Sequence, residues 1–247
     1  MHRFYVEEDH LLQQIATLTP EDARHALRVL RMEKGAAAEI LCGGTRYLAR
    51  MLESQGTEVR FQLEEALPTT EPALQITLFQ GLSKADRMEW TVQKAVEVGV
   101  HAIVPVRMAR CVVKLDDREA EKKQERWQRI AREAGKQSGR CFLPSVSLPR
   151  SLPEVLQAAQ ALDACAVPWE EASALGPGAF TAAHPEIHSL GILIGPEGGI
   201  EPEEIASLTG VFEPITLGPR ILRTETAGPV AAAVMLALRG EMEYAAR

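Results

Sequence analysis

The chain has 247 residues, of which 46% are hydrophobic and 25% are charged, and its formal net charge is −7. This composition is typical of a globular protein with one large or two modest domains and a core that needs no disulfide. The scattered cysteines form no CxxC pair, which argues against a zinc site and favours a reducing compartment; they are Cys42, Cys111, Cys141 and Cys165. The charged start MHRFYVEEDH is unlike a signal peptide, and no apolar stretch approaches the roughly 20 residues of a membrane span. We therefore expect a cytoplasmic protein that does not enter a membrane.

Positive charge is concentrated in one segment of this acidic chain. Residues 107–140 hold 11 Lys and Arg against 6 Asp and Glu, whereas residues 141–247 hold 5 against 13. Such asymmetry allows a basic surface that faces RNA. A solvated helix face of mixed charge explains the same pattern, and charge alone favours that second interpretation.

The first 70 residues are predicted to be rich in β-strands. Residues 57–64 alternate polar and apolar side chains, as a half-buried strand does. Residues 37–42 and 46–51 flank Gly43 and Gly44, which predicts a hairpin.

A short helix over residues 21–31 is predicted ahead of the hairpin. Thr19 is its expected N-cap and Pro20 its first residue. Spacings of four and three residues put three arginines on one face, which could grip phosphates or could be the wet side of the helix; they are Arg24, Arg28 and Arg31.

After the linker Pro68-Thr69-Thr70-Glu71-Pro72, strands and helices alternate. Buried strands are predicted at residues 76–81, 101–106, 164–167, 191–194 and 215–217. Helices are predicted after the first strand (with Met88, Val92, Ala95 and Val96 on one face), at about 119–137, and around 152–159. This alternation predicts a parallel sheet covered on both faces.

The last predicted helix, residues 230–238, is apolar nearly all round. Such a helix must be buried in a core or against a second subunit. Because proline is tolerated in the first turn of a helix, we expect this helix to start at Pro229.

Two glycine-containing loops directly follow predicted strands. They are GILIGPEGG (191–199) and LGPRILRTETAG (217–228), and neither matches GxGxxG or a P-loop. Ligands of open parallel sheets sit beyond the carboxyl ends of the strands, so the two loops together indicate one ligand pocket. Each loop alone is equally well explained as a tight turn without a ligand.

Five segments spread over nearly the whole chain carry a family resemblance. They are HALRVLRMEKG (25–35), LSKADRMEWTVQKAVEVGV (82–100), RWQRIAREAGKQSGRCFLP (126–144), LIGPEGG (193–199) and LGPRILRTETA (217–227). Together they resemble the RsmE family of 16S ribosomal RNA uridine-N3 methyltransferases, in the SPOUT superfamily of knotted methyltransferases. Two departures stand out: Val98 replaces the usual leucine, and Gly228-Pro229 follows Ala227.

The resemblance implies an α/β fold: a trefoil-knotted, parallel-sheet SPOUT methyltransferase domain over residues 73–247, after a PUA-like RNA-binding β-barrel over residues 1–70. It also implies a homodimer and S-adenosylmethionine as methyl donor. Because a methyl sulfonium is already a good electrophile, we expect no metal. The implied product is N3-methyluridine near the 3′ end of small-subunit ribosomal RNA, in the decoding region, with naked RNA or an assembled 30S subunit as substrate.

With this resemblance, candidate residues fall into three groups. Expected cofactor contacts, mainly through the backbone, are Gly195, Glu197, Gly198, Leu217, Gly218, Ile221, Leu222 and Thr224. Expected RNA contacts are Arg3, Arg24, Arg28, Arg31, Lys84 and Arg140. Expected catalytic residues are Arg223, Glu225 and Arg140, the last near the active site of its own or of the other subunit. Glu197 could instead be an exposed loop acid.

The reaction needs a way to remove a proton. N3 of uridine becomes a nucleophile when its proton leaves, so a base, or a cation that stabilises the uracil anion, is required. Glu225 could accept the proton and Arg223 could stabilise the charge, or the two could form a pair that only shapes the loop. His184 and His188 are interpreted as loop residues rather than metal ligands, since Pro185 separates them.

Two alternatives remain at this point. The same scaffold could be a non-catalytic ribosome-assembly factor that binds RNA, which need not bind S-adenosylmethionine. It could also be an RNA ribose 2′-O methyltransferase, which the position of the methyl group on base or sugar would distinguish.

Overall fold

The computed structural model describes residues 1–55 and 58–243. The chain forms two compact units, one of Met1–Glu71 with Gly135–Leu143 and the other of Pro72–Ala134 with Pro144–Arg247. The units divide within the predicted linker, but the short segment Gly135–Leu143 joins the N-terminal unit across a long sequence separation. Its anchors are ordinary polar contacts: Tyr5 donates a hydrogen bond to the Arg140 carbonyl, and Lys136 pairs with Asp22 at 2.8 Å.

The first unit is built on a curled, half-barrel sheet of six strands. They are β1 (His2–Tyr5), β2 (Leu11–Leu12), β3 (Ile15–Thr17), β4 (Ala37–Cys42), β5 (Thr45–Gln55) and β6 (Glu58–Leu67), with a 3-10 helix at Glu8–His10. Their order is β1-β4-β5-β6-β3-β2, and the β1–β4 pair is parallel while the other pairs are antiparallel. Register shifts between β5 and β6 bend these two long strands, as β-bulges do.

The predicted hairpin and alternating strand are confirmed. Gly43 and Gly44 both have positive φ and connect β4 to β5, the two-residue turn that suits twisted antiparallel strands. The apolar residues of β6 face a core that also includes Phe4 and Ile40; they are Val59, Phe61 and Leu63. Thr57, the predicted start of this strand, lies outside the described residues.

The arginine-bearing helix is shorter than predicted. Helix α1 spans Pro20–Arg24, with the Thr19 hydroxyl accepting from the Asp22 amide, so the predicted N-cap and first residue are confirmed. The chain then widens into a π-helix, His25–Val29, and Arg31 adopts a left-handed backbone conformation with φ of 51°. The prediction that Arg31 lies on one helix face with the other arginines is therefore wrong, because the helix ends before it.

The second unit contains a parallel sheet of seven strands. They are β7 (Gln75–Gly81), β8 (Ala102–Arg107), β9 (Ser145–Val146), β10 (Arg150–Ser151), β11 (Ala164–Pro168), β12 (Ser189–Ile194) and β13 (Glu213–Ile215). The order is β10-β8-β7-β12-β11-β13, with β9 also beside β8. Every pair is parallel, as predicted.

Helices connect these strands. They are α2 (Ala85–Val98), α3 (Asp117–Ser138), α4 (Leu152–Ala159), α5 (Pro177–Ala183), α6 (Pro202–Leu208) and α7 (Thr224–Leu238). The predicted apolar face of α2 is fully buried at Met88, Val92, Ala95 and Val96. Together with the curled sheet of the first unit, this architecture confirms the expected α/β fold class.

The last helix begins earlier than predicted. Helix α7 starts at Thr224, and Pro229 lies inside it rather than at its first position. Proline has no N–H to donate to the carbonyl four residues earlier, that of Glu225, so the helix loses one hydrogen bond. Packing outweighs this loss, because Gly228, Pro229, Ala231 and Ala232 are all buried. Glu225 consequently lies in the first helical turn.

Among the described residues, no helix is long and apolar enough to cross a membrane.

Candidate active site

A cavity of about 850 Å³ lies at the carboxyl ends of β12, β11 and β13, which are neighbours in the parallel sheet. Its wall is formed by the segments that follow these three strands, together with Arg87 from the first turn of α2. The residues of these segments that line it are 168–170, 172, 173, 194–197, 199, 200, 216–224 and 227. This volume is in the range of small-molecule sites, and its position follows the rule for parallel sheets.

The loop after β12 is packed too closely for side chains at its glycines. A Cβ on Gly195 would lie 2.6 Å from the Ile200 side chain, and a Cβ on Gly81 would lie 2.6 Å from the backbone nitrogen of Pro196. Gly199 has a φ of 75°, a conformation that other residues rarely adopt. The glycines therefore allow the loop to pack tightly against its own chain, and residues 195–197, 199 and 200 form part of the cavity wall.

A chain of hydrogen bonds joins this loop to the start of α7. The Thr224 hydroxyl donates to the Gly195 carbonyl at 2.6 Å and accepts from the Gln80 side-chain amide at 2.9 Å. Gln80 is fully buried in β7 and Thr224 is 8% exposed. Because these bonds are shielded from water, they hold β7, the first glycine loop and α7 in one arrangement.

The loop after β13 supplies the opposite wall of the cavity. Gly218 has a φ of 97°, and Ile221 is 87% exposed beside the cavity. Arg223 is the N-cap residue of α7 and its side chain is exposed. This loop thus offers an apolar side chain and a cation to a bound molecule.

Arg87 lies between two glutamates. Its Nη1 is 3.3 Å from Oε1 of Glu197, and its Nε is 3.9 Å from Oε1 of Glu225. The Glu197 Oε1 also accepts from the backbone N–H of Lys84. The Oε2 atoms of both glutamates are buried and have no hydrogen-bond partner among the described residues. Buried oxygens of this kind are rare and indicate a place where a donor belongs.

The structure brings most of the predicted cofactor residues together. All of them except Gly198 line the cavity, and Gly198 instead meets Arg110, whose Nη1 donates to its carbonyl. Glu197 is not an exposed loop acid, because its side chain is 17% exposed and anchored by Lys84 and Arg87. Glu225 has its ion-pair contact with Arg87, so an Arg223–Glu225 pair that shapes the loop is not observed.

The predicted RNA-binding residues differ in their surroundings. Arg24, Arg28, Arg31 and Lys84 are exposed. Arg140 is 4% exposed and pairs with Glu71, with 2.6 Å between Nη2 and Oε2. Arg3 pairs with Glu39 and donates to the Lys136 carbonyl. Arg3 and Arg140 therefore form ion pairs within the first unit.

Two cysteines and one histidine of the second unit lie outside the cavity wall. Burial raises the pKa of the Cys165 thiol to about 11 and is also the main cause that raises the pKa of Cys111, so both thiols are protonated near neutral pH. His184 follows α5 and lies 2.6 Å from a Glu213 oxygen. Within residues 1–55 and 58–243, no group of three or more His, Cys, Asp or Glu side chains could hold a metal ion.

Comparison with known proteins shows the family to which this chain belongs. Residues 70–236 match the model of the RNA methyltransferase domain family. Ribosomal RNA small subunit methyltransferase E of Bacillus subtilis is 37% identical over 241 residues, which cover 92% of this chain and 93% of the relative. The chain belongs to the ribosomal RNA small subunit methyltransferase E family.

Solved structures of this family superpose on nearly the whole chain. The methyltransferase E of Neisseria gonorrhoeae, bound to S-adenosyl methionine, has a TM-score of 0.83 at 33% identity and covers 96% of this chain and 98% of its own. A Legionella pneumophila protein described as a methyltransferase, in complex with the cofactor SAM, has a TM-score of 0.83 at 32% identity, with coverages of 96% and 97%.

Arg87 and the segment after β11, which both contribute to the cavity wall, were not singled out from the sequence. Trp169 and Glu170 directly follow β11, and the rule that singled out the two glycine loops applies equally to this strand end. Arg87 lies in the first turn of the helix after β7, within a segment that carried the family resemblance. Its role was hidden because its partners are 110 and 138 residues away in sequence.

Proposed function

We propose that this protein transfers a methyl group from S-adenosylmethionine to N3 of a uridine near the 3′ end of small-subunit ribosomal RNA, in the decoding region. The names of its relatives support the RNA substrate and the cofactor. The observation that carries the chemistry is the arrangement around the cavity: a wall that contains glycines and Arg87, whose ion-pair partner Glu225 is a carboxylate with one buried and unpartnered oxygen.

The residues present fit the cofactor. Gly195 and Gly218 line the cavity and have no side chain, so their main-chain N–H and C=O groups can approach a ligand closely. Ile194, Leu217 and Leu222 give apolar walls suited to an adenine ring. Backbone contacts from Gly195, Gly218 and their neighbours would hold S-adenosylmethionine, which supplies an electrophilic methyl group when bound.

In this mechanism the chain orients the uridine and removes its proton. Holding N3 in line with the methyl group is mainly a matter of proximity and orientation. Glu225, in the first turn of α7, accepts the N3 proton. Arg223, exposed at the N-cap of the same helix, stabilises the charge that develops on the uracil oxygens. Arg223 precedes α7 as its N-cap residue and Glu225 lies in the first turn, so the start of this one helix determines the position of both residues.

RNA contacts and assembly complete the proposal. Arg24 and Arg28 from the first unit and Lys84 from the second are exposed and would contact phosphates. Arg3 and Arg31 are further candidates from the family resemblance, whereas the expected contact at Arg140 is not proposed, because this side chain is buried against Glu71. The working form is a cytoplasmic homodimer, which meets through a half-buried apolar stripe of α7 formed by Val230, Ala233, Val234 and Leu238.

Mapping of methylated nucleotides in ribosomal RNA tests the reaction. Cells lacking this protein should lack one N3-methyluridine in small-subunit RNA, and the purified protein should restore it with S-adenosylmethionine. Separate assays on naked RNA and on isolated 30S subunits identify the substrate. A restored 2′-O-methyl group would support the ribose methyltransferase instead, and no change in methylation would support an assembly factor.

The role of Glu225 makes a sharper prediction. Glu225→Gln removes the proton acceptor while keeping the shape of the side chain, so the single-turnover rate should fall about 10²–10⁴-fold. Isothermal titration should show unchanged affinity for S-adenosylmethionine. A near-normal rate in a folded Glu225→Gln protein would exclude Glu225 as the base.

A further inference from the structure

Arg87 makes different contacts with its two glutamates. Glu197 has a second partner in the Lys84 backbone N–H, 3.1 Å from its Oε1. For the Glu225 carboxylate, Arg87 is the one side-chain partner found among the described residues. Removing the guanidinium would thus leave Glu197 anchored and Glu225 unanchored.

The two contacts differ in kind, because Arg87 donates a hydrogen bond to Glu197 at 3.3 Å and forms an ion pair with Glu225 at 3.9 Å. Arg87 lies beside Oε1 of Glu197 and Oε1 of Glu225, and in both residues Oε2 is the buried oxygen that lacks a partner. A carboxylate whose cationic partner is removed can rotate to place either oxygen near other donors. The guanidinium, a planar group with several N–H donors, can fix two carboxylates at once, whereas a lysine ammonium acts as a point charge.

We propose that Arg87, which lines the cavity, is a positioning residue for methyl transfer and acts by holding the Glu225 carboxylate in the place from which it accepts the proton of the substrate. This inference rests on the proposed function, because it needs Glu225 as the base. The inference predicts different effects on cofactor binding and on rate. Binding of the cofactor depends on the loop that the Glu197–Lys84 hydrogen bond holds, whereas the rate of methyl transfer depends on Glu225.

The test compares Arg87→Gln and Arg87→Lys with wild type, at saturating S-adenosylmethionine and small-subunit RNA. We expect Arg87→Gln to lower the single-turnover rate about 10–100-fold while cofactor affinity stays within about threefold, and Arg87→Lys to recover part of the rate. Lys94→Gln is the matched control, because Lys94 lies two turns along the same helix and pairs with Glu97, away from the cavity. It should leave both quantities unchanged.

A double-mutant cycle shows whether Arg87 acts through Glu225. In the Glu225→Gln background, Arg87→Gln should lower the rate by less than about twofold, since the carboxylate it orients is gone. Equal losses in both backgrounds, a full rate in Arg87→Gln, or a loss confined to cofactor affinity would overturn the inference. If Arg87→Gln fails to fold, Arg87→Lys takes its place in the same cycle, and its rate loss is compared between the wild-type and Glu225→Gln backgrounds. An inactive wild type would overturn the proposed function and the inference with it.

Discussion

At the scale of single residues, the hydroxyl of Thr224 connects three elements of the second unit, namely β7, the loop after β12 and α7. It joins Gln80 of the central strand β7 to the Gly195 carbonyl of the cavity wall, and all three groups are shielded from water. Buried groups that lose a partner cost the full energy of their desolvation, which exceeds the net gain from an ordinary hydrogen bond. This residue therefore couples stability to the geometry of the pocket.

Thr224→Val should reveal this coupling. Valine keeps the shape but leaves the Gly195 carbonyl without its donor and the Gln80 amide with only its 3.4 Å bond to the Gly81 carbonyl, so the free energy of unfolding should fall by about 1–3 kcal/mol. Chemical denaturation measures this loss, and titration with S-adenosylmethionine should show weaker binding. Thr224→Ser is the control, because it keeps the hydroxyl. Equal stability of the valine and serine variants would show that the hydrogen bonds contribute little.

At the scale of elements, α7 shows how packing overrides local preference. The helix contains Gly228 and Pro229, the two residue types least suited to a helix interior. A Cβ on Gly228 would lie 3.1 Å from both the Gln80 Oε1 atom and a Leu78 methyl group. The glycine thus allows α7 to lie close against β7, and this contact fixes where Glu225 and Arg223 stand.

Gly228→Ala tests this packing. Alanine normally stabilises a helix by up to about 1 kcal/mol relative to glycine, but here the added methyl group must displace Leu78 or Gln80. We expect a lower free energy of unfolding in urea. Gly178→Ala in α5 is the matched control, because a Cβ there meets no atom within 4 Å. A Gly228→Ala protein at least as stable as wild type would show that β7 and α7 have room to spare.

At the scale of the whole molecule, α7 also has an outer side that its own chain leaves partly open. Val230, Ala233 and Val234 are half-buried, and Leu238 is 48% exposed. Ala233, Val234 and Leu238 lie three, four and eight residues after Val230, so the four side chains form one stripe along the helix. An apolar stripe next to the cavity loop suits a subunit interface, and a two-fold interface would make both pockets equivalent.

Val234→Glu should separate the subunits, because it places a charge in the proposed interface. Light scattering after gel filtration should give half the mass of the wild-type protein, with methyl transfer lost as well. Val112→Glu is the control, since Val112 is an exposed valine outside this stripe. Circular dichroism distinguishes a folded monomer from an unfolded chain. A folded Val234→Glu dimer would place the interface elsewhere.

RNA binding is a second property of the whole molecule, since it depends on charges spread over the surface. Each lost phosphate contact should flatten the slope of log affinity against log salt by about 0.7–0.9. Arg24→Glu combined with Arg28→Glu should therefore weaken binding and flatten this slope. Arg60→Glu is the control, because Arg60 already pairs with Glu58 and Glu53 in the same unit. Unchanged RNA affinity in the double variant would make the arginine helix a solvated face.

The sequence by itself determined most of the elements and indicated the strand ends at which the structure has its cavity. Alternation in β6, the apolar face of α2 and the glycine turn between β4 and β5 are local patterns that the backbone obeys directly. The two glycine loops indicated a pocket because they follow strands that parallel pairing brings together. Family motifs then identified the kind of chemistry, which periodicity could not do.

Only the tertiary structure decided the contacts between distant residues. Arg87 meets Glu197 and Glu225, Thr224 meets Gln80, and Arg140 is buried against Glu71 rather than exposed. The start of α7 was also decided there, because the local cost of Pro229 is known from the sequence but the burial that outweighs it is not. Local rules describe neighbours along the chain, whereas the energies of burial and charge pairing depend on which remote side chains the fold brings within a few ångströms.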